Sequence, residues 1–175
     1  MWMDLEMTGL DVERDVVVEI AALATTATTL EPIDAGLSVV VAQPPEVLAG
    51  MSDFVRRMHE RSGLLAEIAT AGVPLDEAGR RVLEYIKGHV PEPRTVPLCG
   101  NSIGMDRRFL ARYLPDIEEH LHYRSIDVSS IKELCRRWYA EPFAARPQKT
   151  DDHRALPDIR ASIAELRYYR ETIFR

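Results

Sequence analysis

The chain has 175 residues, of which 46% are hydrophobic and 29% charged, with a formal net charge of −6. That size suits one domain, residues 1–175, with a substantial core. No apolar run approaches the roughly 20 residues that span a bilayer, and no basic segment with an apolar core marks a secretory signal. The acidic balance argues against a long basic track for nucleic acid, while a short polyanion, or one gripped through metal ions, stays compatible. Two cysteines far apart, Cys99 and Cys135, suggest neither a disulfide framework nor a zinc site. They read as core residues of a protein of the reduced cytoplasm.

Met1–Leu5 reads as a strand that starts abruptly, since a central strand normally extends further at this end. Asp11–Asp15 is a polar turn, Val16–Leu23 a second strand rich in β-branched residues, and Ala35–Ala42 a third, in connections short enough for an antiparallel meander. Pro44 and Pro45 break the sheet pattern. Ser62 is placed to cap a short helix through Leu64, Leu65 and Ile68. Pro74 and Asp76 open a longer helix carrying Ala78, Val82, Tyr85, Ile86 and Val90 at helical spacing, ended by Pro91 and Pro93. Val96–Asn101 is a short strand, followed by a helix from near Met105 to before Pro115. Ser125–Val128 is another strand, leading into a helix from Ser129 or Ser130 to Trp138. Glu141–Asp152 reads as a loop, and a last helix runs from about Pro157 to Phe174. Meander strands followed by alternating strands and helices indicate an α/β fold with a mixed sheet.

Carboxylates recur at the edges of these elements. Asp4 and Glu6 are two residues apart on the first strand and so share a face, where two like charges on an apolar strand repel and resist desolvation. A hard divalent cation removes both problems; a solvated surface strand is the plainer alternative. Asp106 stands in the first turn of a helix, which the helix dipole alone would favour. Asp158 opens the last helix, five residues after His153.

Taken together the set resembles the DEDD exonucleases, in the branch whose last motif carries His-x-x-x-x-Asp. The segments Asp-Leu-Glu-Met-Thr-Gly-Leu, Gly-Asn-Ser-Ile-Gly-x-Asp-Arg-Arg-Phe-Leu, His-Tyr-Arg-x-x-Asp-Val-Ser-Ser-Ile-Lys-Glu-Leu and His-Arg-Ala-x-x-Asp-Ile-Arg look like those of the oligoribonuclease family, in order, from Met3 to Phe174. The resemblance implies an RNase H-like fold, a five-stranded mixed sheet flanked by helices. It also implies hydrolysis of very short RNA, dinucleotides above all, from the 3′ end to 5′-mononucleotides, with pGpG one substrate to test. Two divalent ions, Mg2+ or Mn2+, are implied as well, bridged by Asp4, with Glu6 and Asp158 on the nucleophile-side ion and Asp106 serving the other. His153 is implied as general base; an imidazole ordinarily titrates near working pH.

Matching positions extend to substrate contacts. Leu10 and Phe54 look like the pair that sandwiches a base, with Phe54 where the family often has Trp. Ser102, Arg124 and Ser129 match residues that cap the 5′ phosphate. His122 and Tyr123 match residues donated across the interface of a homodimer. Pro157 replaces the family's usual helix former. Five helical residues turn about 500°, so His153 and Asp158 inside one helix would lie about 140° apart. His153 is therefore expected ahead of the helix, and Pro157 fits a first turn. Arg107, Arg108, Lys132, Arg136 and Arg137 read as a solvated helix face. The rival readings are a DNA-proofreading 3′–5′ exonuclease, a non-catalytic nucleic-acid-binding module on the same fold, and an aspartyl-phosphate phosphatase, which would need Asp in place of Glu6.

Overall fold

The computed structural model describes residues 1–148 and 153–174. Three strands, β1 (Trp2–Met7), β2 (Val17–Leu23) and β3 (Leu37–Val40), form an antiparallel meander. β4 (Pro97–Gly100) pairs parallel with β1, and β5 (His122–Asp127) parallel with β4, giving a mixed five-stranded sheet in the order β3-β2-β1-β4-β5. Between and after the strands run α1 (Pro45–Ala49), α2 (Asp53–Arg61), α3 (Leu64–Ala71), α4 (Leu75–His89), α5 (Ile103–Tyr113), α6 (Pro115–His120), α7 (Val128–Trp138), α8 (Ala140–Ala145) and α9 (Ala155–Thr172). Among the described residues no helix is long and apolar enough to cross a membrane.

The two faces of the sheet bury different residues because strand side chains alternate. Met3, Leu5, Ile20 and Ala22 pack with Val82 and Ile86 of α4 and Phe109 and Leu110 of α5. Trp2, Ala21 and Leu23 pack on the other face with Val128 of α7 and Ile159, Ile163 and Tyr169 of α9. This alternation puts Asp4 and Glu6 on the Trp2 side, toward α9. Cys99 and Cys135 are both buried and free.

Several boundaries differ from the sequence reading. Ser62 does not open a helix: its N–H bonds the Met58 carbonyl, closing α2, and Gly63 at φ 77° makes the left-handed turn into α3. The cap belongs instead to Ser52, whose hydroxyl accepts from the Val55 N–H at the start of α2. The short helices α6 and α8 fall where proline and mixed charge read as breaks; Pro45 of α1 and Pro115 of α6 occupy the first helical turn, where proline fits. α8 occupies part of the expected 141–152 loop, of which residues 149–152 lie outside the described ones. β3 is four residues rather than eight, because Gly36 at φ 82° turns the chain just before it. β5 begins three residues early: it is polar and exposed along most of its length, so it shows no apolar alternation.

Gly72 joins α3 to the β3 edge. A Cβ there would lie 2.7 Å from both the Ala42 nitrogen and the Ile68 carbonyl oxygen, backbone atoms that cannot swing aside. Gly72→Ala is expected to cost about 2 kcal/mol in urea denaturation, as overpacking a tight contact does; an unchanged midpoint would mean that α3 shifts freely.

Candidate active site

β1 delivers Asp4 and Glu6 to one face of the sheet, and the first turn of α9 delivers Asp158 to the same place. One carboxylate oxygen from each of the three lies within 4.8 Å of the others. Asp106, in the first turn of α5, stands beside this triad rather than in it. Its carboxylate accepts the Leu5 N–H at 2.9 Å and is almost fully buried. All four carboxylates line one cleft of about 350 Å³ together with His153, Leu10 and Ser102. His153 sits two residues ahead of α9 with φ 46°, outside the helix as the geometry of the spacing requires, and Pro157 falls within the first turn.

The electrostatics are those of buried acids crowded together, with Arg154 offsetting only part of the repulsion on Glu6. Burial, then repulsion from Asp158, Glu19 and Asp106, pushes Glu6 up to about 8. Burial pushes Asp106 up to about 7, against the pull of its bond from Leu5. Both carboxyls therefore hold protons near neutrality that a cation would displace. Among the described residues the clustered donors are carboxylate oxygens, hard ligands of the kind that fit magnesium or manganese. A cation here would relieve the repulsion that burial amplifies.

Residues that the sequence reading passed over hold this arrangement. Glu19 of β2 is paired in register with Glu6 and projects from the same face. It is 1% exposed and takes bonds from the Ser38 hydroxyl (2.7 Å), the Ala155 N–H (3.2 Å) and the Arg154 guanidinium (3.1 Å). Its signal in the sequence was a single charge within an apolar strand. His59 of α2 is fully buried, its Nε2 bonding the Met7 carbonyl at 2.9 Å. A carbonyl can only accept, so Nε2 carries the proton and Nδ1 turns its lone pair toward Glu6, 4.0 Å away. Burial lowers the His59 pKa, which agrees with a neutral ring.

Ser102 is set by a network of its own. Its φ of 54° is left-handed, and its N–H donates to Asp127 Oδ1 (2.9 Å) and Ser129 Oγ (2.7 Å). Ser129 Oγ in turn donates to Asn101 Oδ1 at 3.1 Å, placing Ser129 directly behind Ser102. Of the remaining substrate-contact candidates Leu10 lines the cleft, whereas Phe54, His122, Tyr123, Arg124 and Ser129 do not. Phe54 is 67% exposed on α2, the helix that His59 ties to the end of β1, and Leu10 is similarly exposed just beyond β1. His122, Tyr123 and Arg124 lie on β5, the outer strand, with the Arg124 guanidinium 5.2 Å from the Tyr123 ring centre and Tyr123 73% exposed. Arg107 is not a solvated side chain: it pairs with Glu118 at 2.9 Å and donates to the His122 carbonyl at 2.9 Å. Lys132 likewise pairs with buried Glu165 at 3.0 Å.

The exonuclease family matches residues 1–166. The oligoribonuclease of Streptomyces avermitilis is 52% identical over 174 residues, covering 99% of this chain and 86% of its own. Among solved structures, exonuclease I from Methylocaldum szegediense aligns over 99% of this chain at 20% identity with a TM-score of 0.67. The zinc-bound form of an E. coli exonuclease I complex with single-stranded DNA aligns over 99% of this chain at 14% identity with a TM-score of 0.65. This chain spans about 40% of each of those two longer chains, so they speak for the fold. A sheet with this strand order, four carboxylates converging in one cleft and half-identity over nearly the whole chain lead to one conclusion: the chain belongs to the oligoribonuclease family of 3′–5′ exoribonucleases.

Proposed function

We propose that this exoribonuclease acts chiefly on dinucleotides, pGpG among them, releasing 5′-mononucleotides in the cytoplasm, with residues 1–175 as one exonuclease domain. The observation that carries the reading is the triad of Asp4, Glu6 and Asp158 within 4.8 Å, sharing its cleft with His153.

Asp4, Glu6 and Asp158 would hold one divalent cation and Asp106, with Asp4, a second, with Mg2+ or Mn2+ matching the oxygen ligands. When bound, such ions supply Lewis-acid activation of water and stabilise the leaving 3′ oxygen. His153 takes the proton of the attacking water as general base. Leu10 and Phe54 hold a base between them; stacking on Phe is indifferent to base identity. Ser102, Ser129 and Arg124 bind the 5′ phosphate through a few directed bonds, which lets an acidic protein hold a short anion.

Arg124, with His122 and Tyr123, sits on an outer strand away from the cleft of its own chain, and exposed Tyr123 and Ile126 make that strand a natural contact surface. A homodimer in which β5 of one chain completes the site of the other accounts for this. Mixing inactive Tyr123→Ala and His153→Asn proteins should then regain activity, because one site of each mixed dimer is intact. No recovery would make each site self-sufficient. Phe54→Ala is expected to raise KM about tenfold with little change in kcat, the usual worth of one stacked base; steady-state kinetics on a diribonucleotide would reveal an unchanged KM if Phe54 is only a surface residue.

A further inference from the structure

His153 has an uncommon backbone conformation, and its neighbour Arg154 is tied firmly to two other elements. At φ 46° the His153 backbone is left-handed, which non-glycine residues adopt at a cost and keep only where their surroundings compel them. Arg154, next in the chain, is extended at φ −130° and ψ 132° and precedes the first turn of α9. Its guanidinium makes four bonds: Nε and Nη2 to Glu19 at 3.1 and 3.2 Å, Nη1 and Nη2 to Glu67 at 2.9 and 2.8 Å. Glu19 belongs to the sheet and Glu67 to α3, so the fork ties three separate elements together. Glu19 also accepts the Ala155 N–H, fixing the backbone on the far side of Arg154.

We propose that Arg154 is a positioning residue for catalysis: by bridging Glu19 and Glu67 it locks the backbone on which His153 turns and so sets the imidazole over the carboxylate triad. This rests on His153 being the general base. The arrangement has a built-in asymmetry of strength. Glu19 is buried and needs the positive charge, whereas Glu67 is about half exposed and serves mainly to orient the fork. Because the lock depends on a planar, two-sided guanidinium, lysine should not replace it, although it would keep the charge beside Glu19.

Arg154 also neutralises Glu19 opposite Glu6, so a purely electrostatic influence on the acids must be separated from positioning. A double-mutant cycle with His153→Asn does this; asparagine tolerates the left-handed backbone but cannot act as a base. Arg154→Met should lower kcat on a 5′-phosphorylated diribonucleotide roughly 10- to 100-fold, with KM within about twofold, as a displaced catalytic group does. In the His153→Asn background the same change should have almost no further effect on kcat, and Mn2+ affinity measured without substrate should stay within about twofold. Arg154→Lys should behave like Arg154→Met.

An equal kcat loss in both backgrounds, or recovery by Arg154→Lys, would overturn positioning in favour of charge. A His153→Asn protein with near-normal kcat would instead overturn the general-base reading itself, and this proposal with it. If Arg154→Met does not fold because Glu19 is left unpaired, Arg154→Met/Glu19→Gln removes the buried charge, and the kcat loss should remain. Glu67→Gln, which leaves the Glu19 pair intact, should show a smaller loss confined to kcat; no loss in either variant would end the proposal.

Discussion

Replacing Glu6 by glutamine is expected to cut turnover at least about a thousandfold while making the metal-free protein more stable in alkaline solution, a pairing that marks a site built against its own stability. The first effect follows because Glu6 is one of three oxygen donors within 4.8 Å, and a neutral amide offers a cation far less. The second follows from linkage. Burial and neighbouring acids raise Glu6 from 4.5 to about 8, so between these values the folded chain keeps a proton that the unfolded chain has released. Stability of the metal-free protein therefore falls as pH rises through that window, and the loss is complete above about 8. Glutamine cannot ionise and escapes this loss. Thermal melting in chelator should show Glu6→Gln above the unsubstituted protein at about pH 9 and the two converging near about pH 4. Equal melting curves at alkaline pH would mean that the acids are better solvated than their burial indicates. The same protonation predicts that Mn2+ binding tightens from neutral pH to about 8, releasing protons as it does so.

His153→Asn is the second large effect, with kcat expected to fall roughly 10²- to 10⁴-fold, the usual contribution of a general base. Asparagine suits this test better than alanine because the site has φ 46°, a region that Asn enters more readily than most residues. The fold and Mn2+ binding should then be retained, so that loss of turnover reports on the proton transfer alone. Retained turnover with normal metal binding would require water to be deprotonated without a side-chain base.

The clustered carboxylates were easier to read from the sequence than the residues that hold them. Asp4 and Glu6 could be read because strand alternation fixes their shared face without any tertiary information. The position of His153 outside α9 could be read because five helical residues cannot aim two side chains at one point. Glu19 and Arg154 could not, because their roles depend on strand register and on contacts spanning 135 positions in the sequence, which no local pattern encodes. His59 was missed for a related reason: it lies on a helix whose start is marked only by Ser52, and its function appears only when α2 docks on the end of β1. β5 was shortened in the reading because exposed residues on an outer strand leave the alternation blank. Thus motifs that act through one element were visible, and supports that join several were not.

The most direct test of the central claim is the initial rate on a 5′-phosphorylated diribonucleotide compared with that on an RNA of roughly twenty nucleotides, with Mn2+ or Mg2+ and again with chelator. The account predicts fast cleavage of the dinucleotide, little action on the long strand, and loss of both in chelator. Equal or faster cleavage of the long strand would contradict the short, 5′-phosphate-capped site, and cleavage that survives chelation would contradict the role given to the four carboxylates.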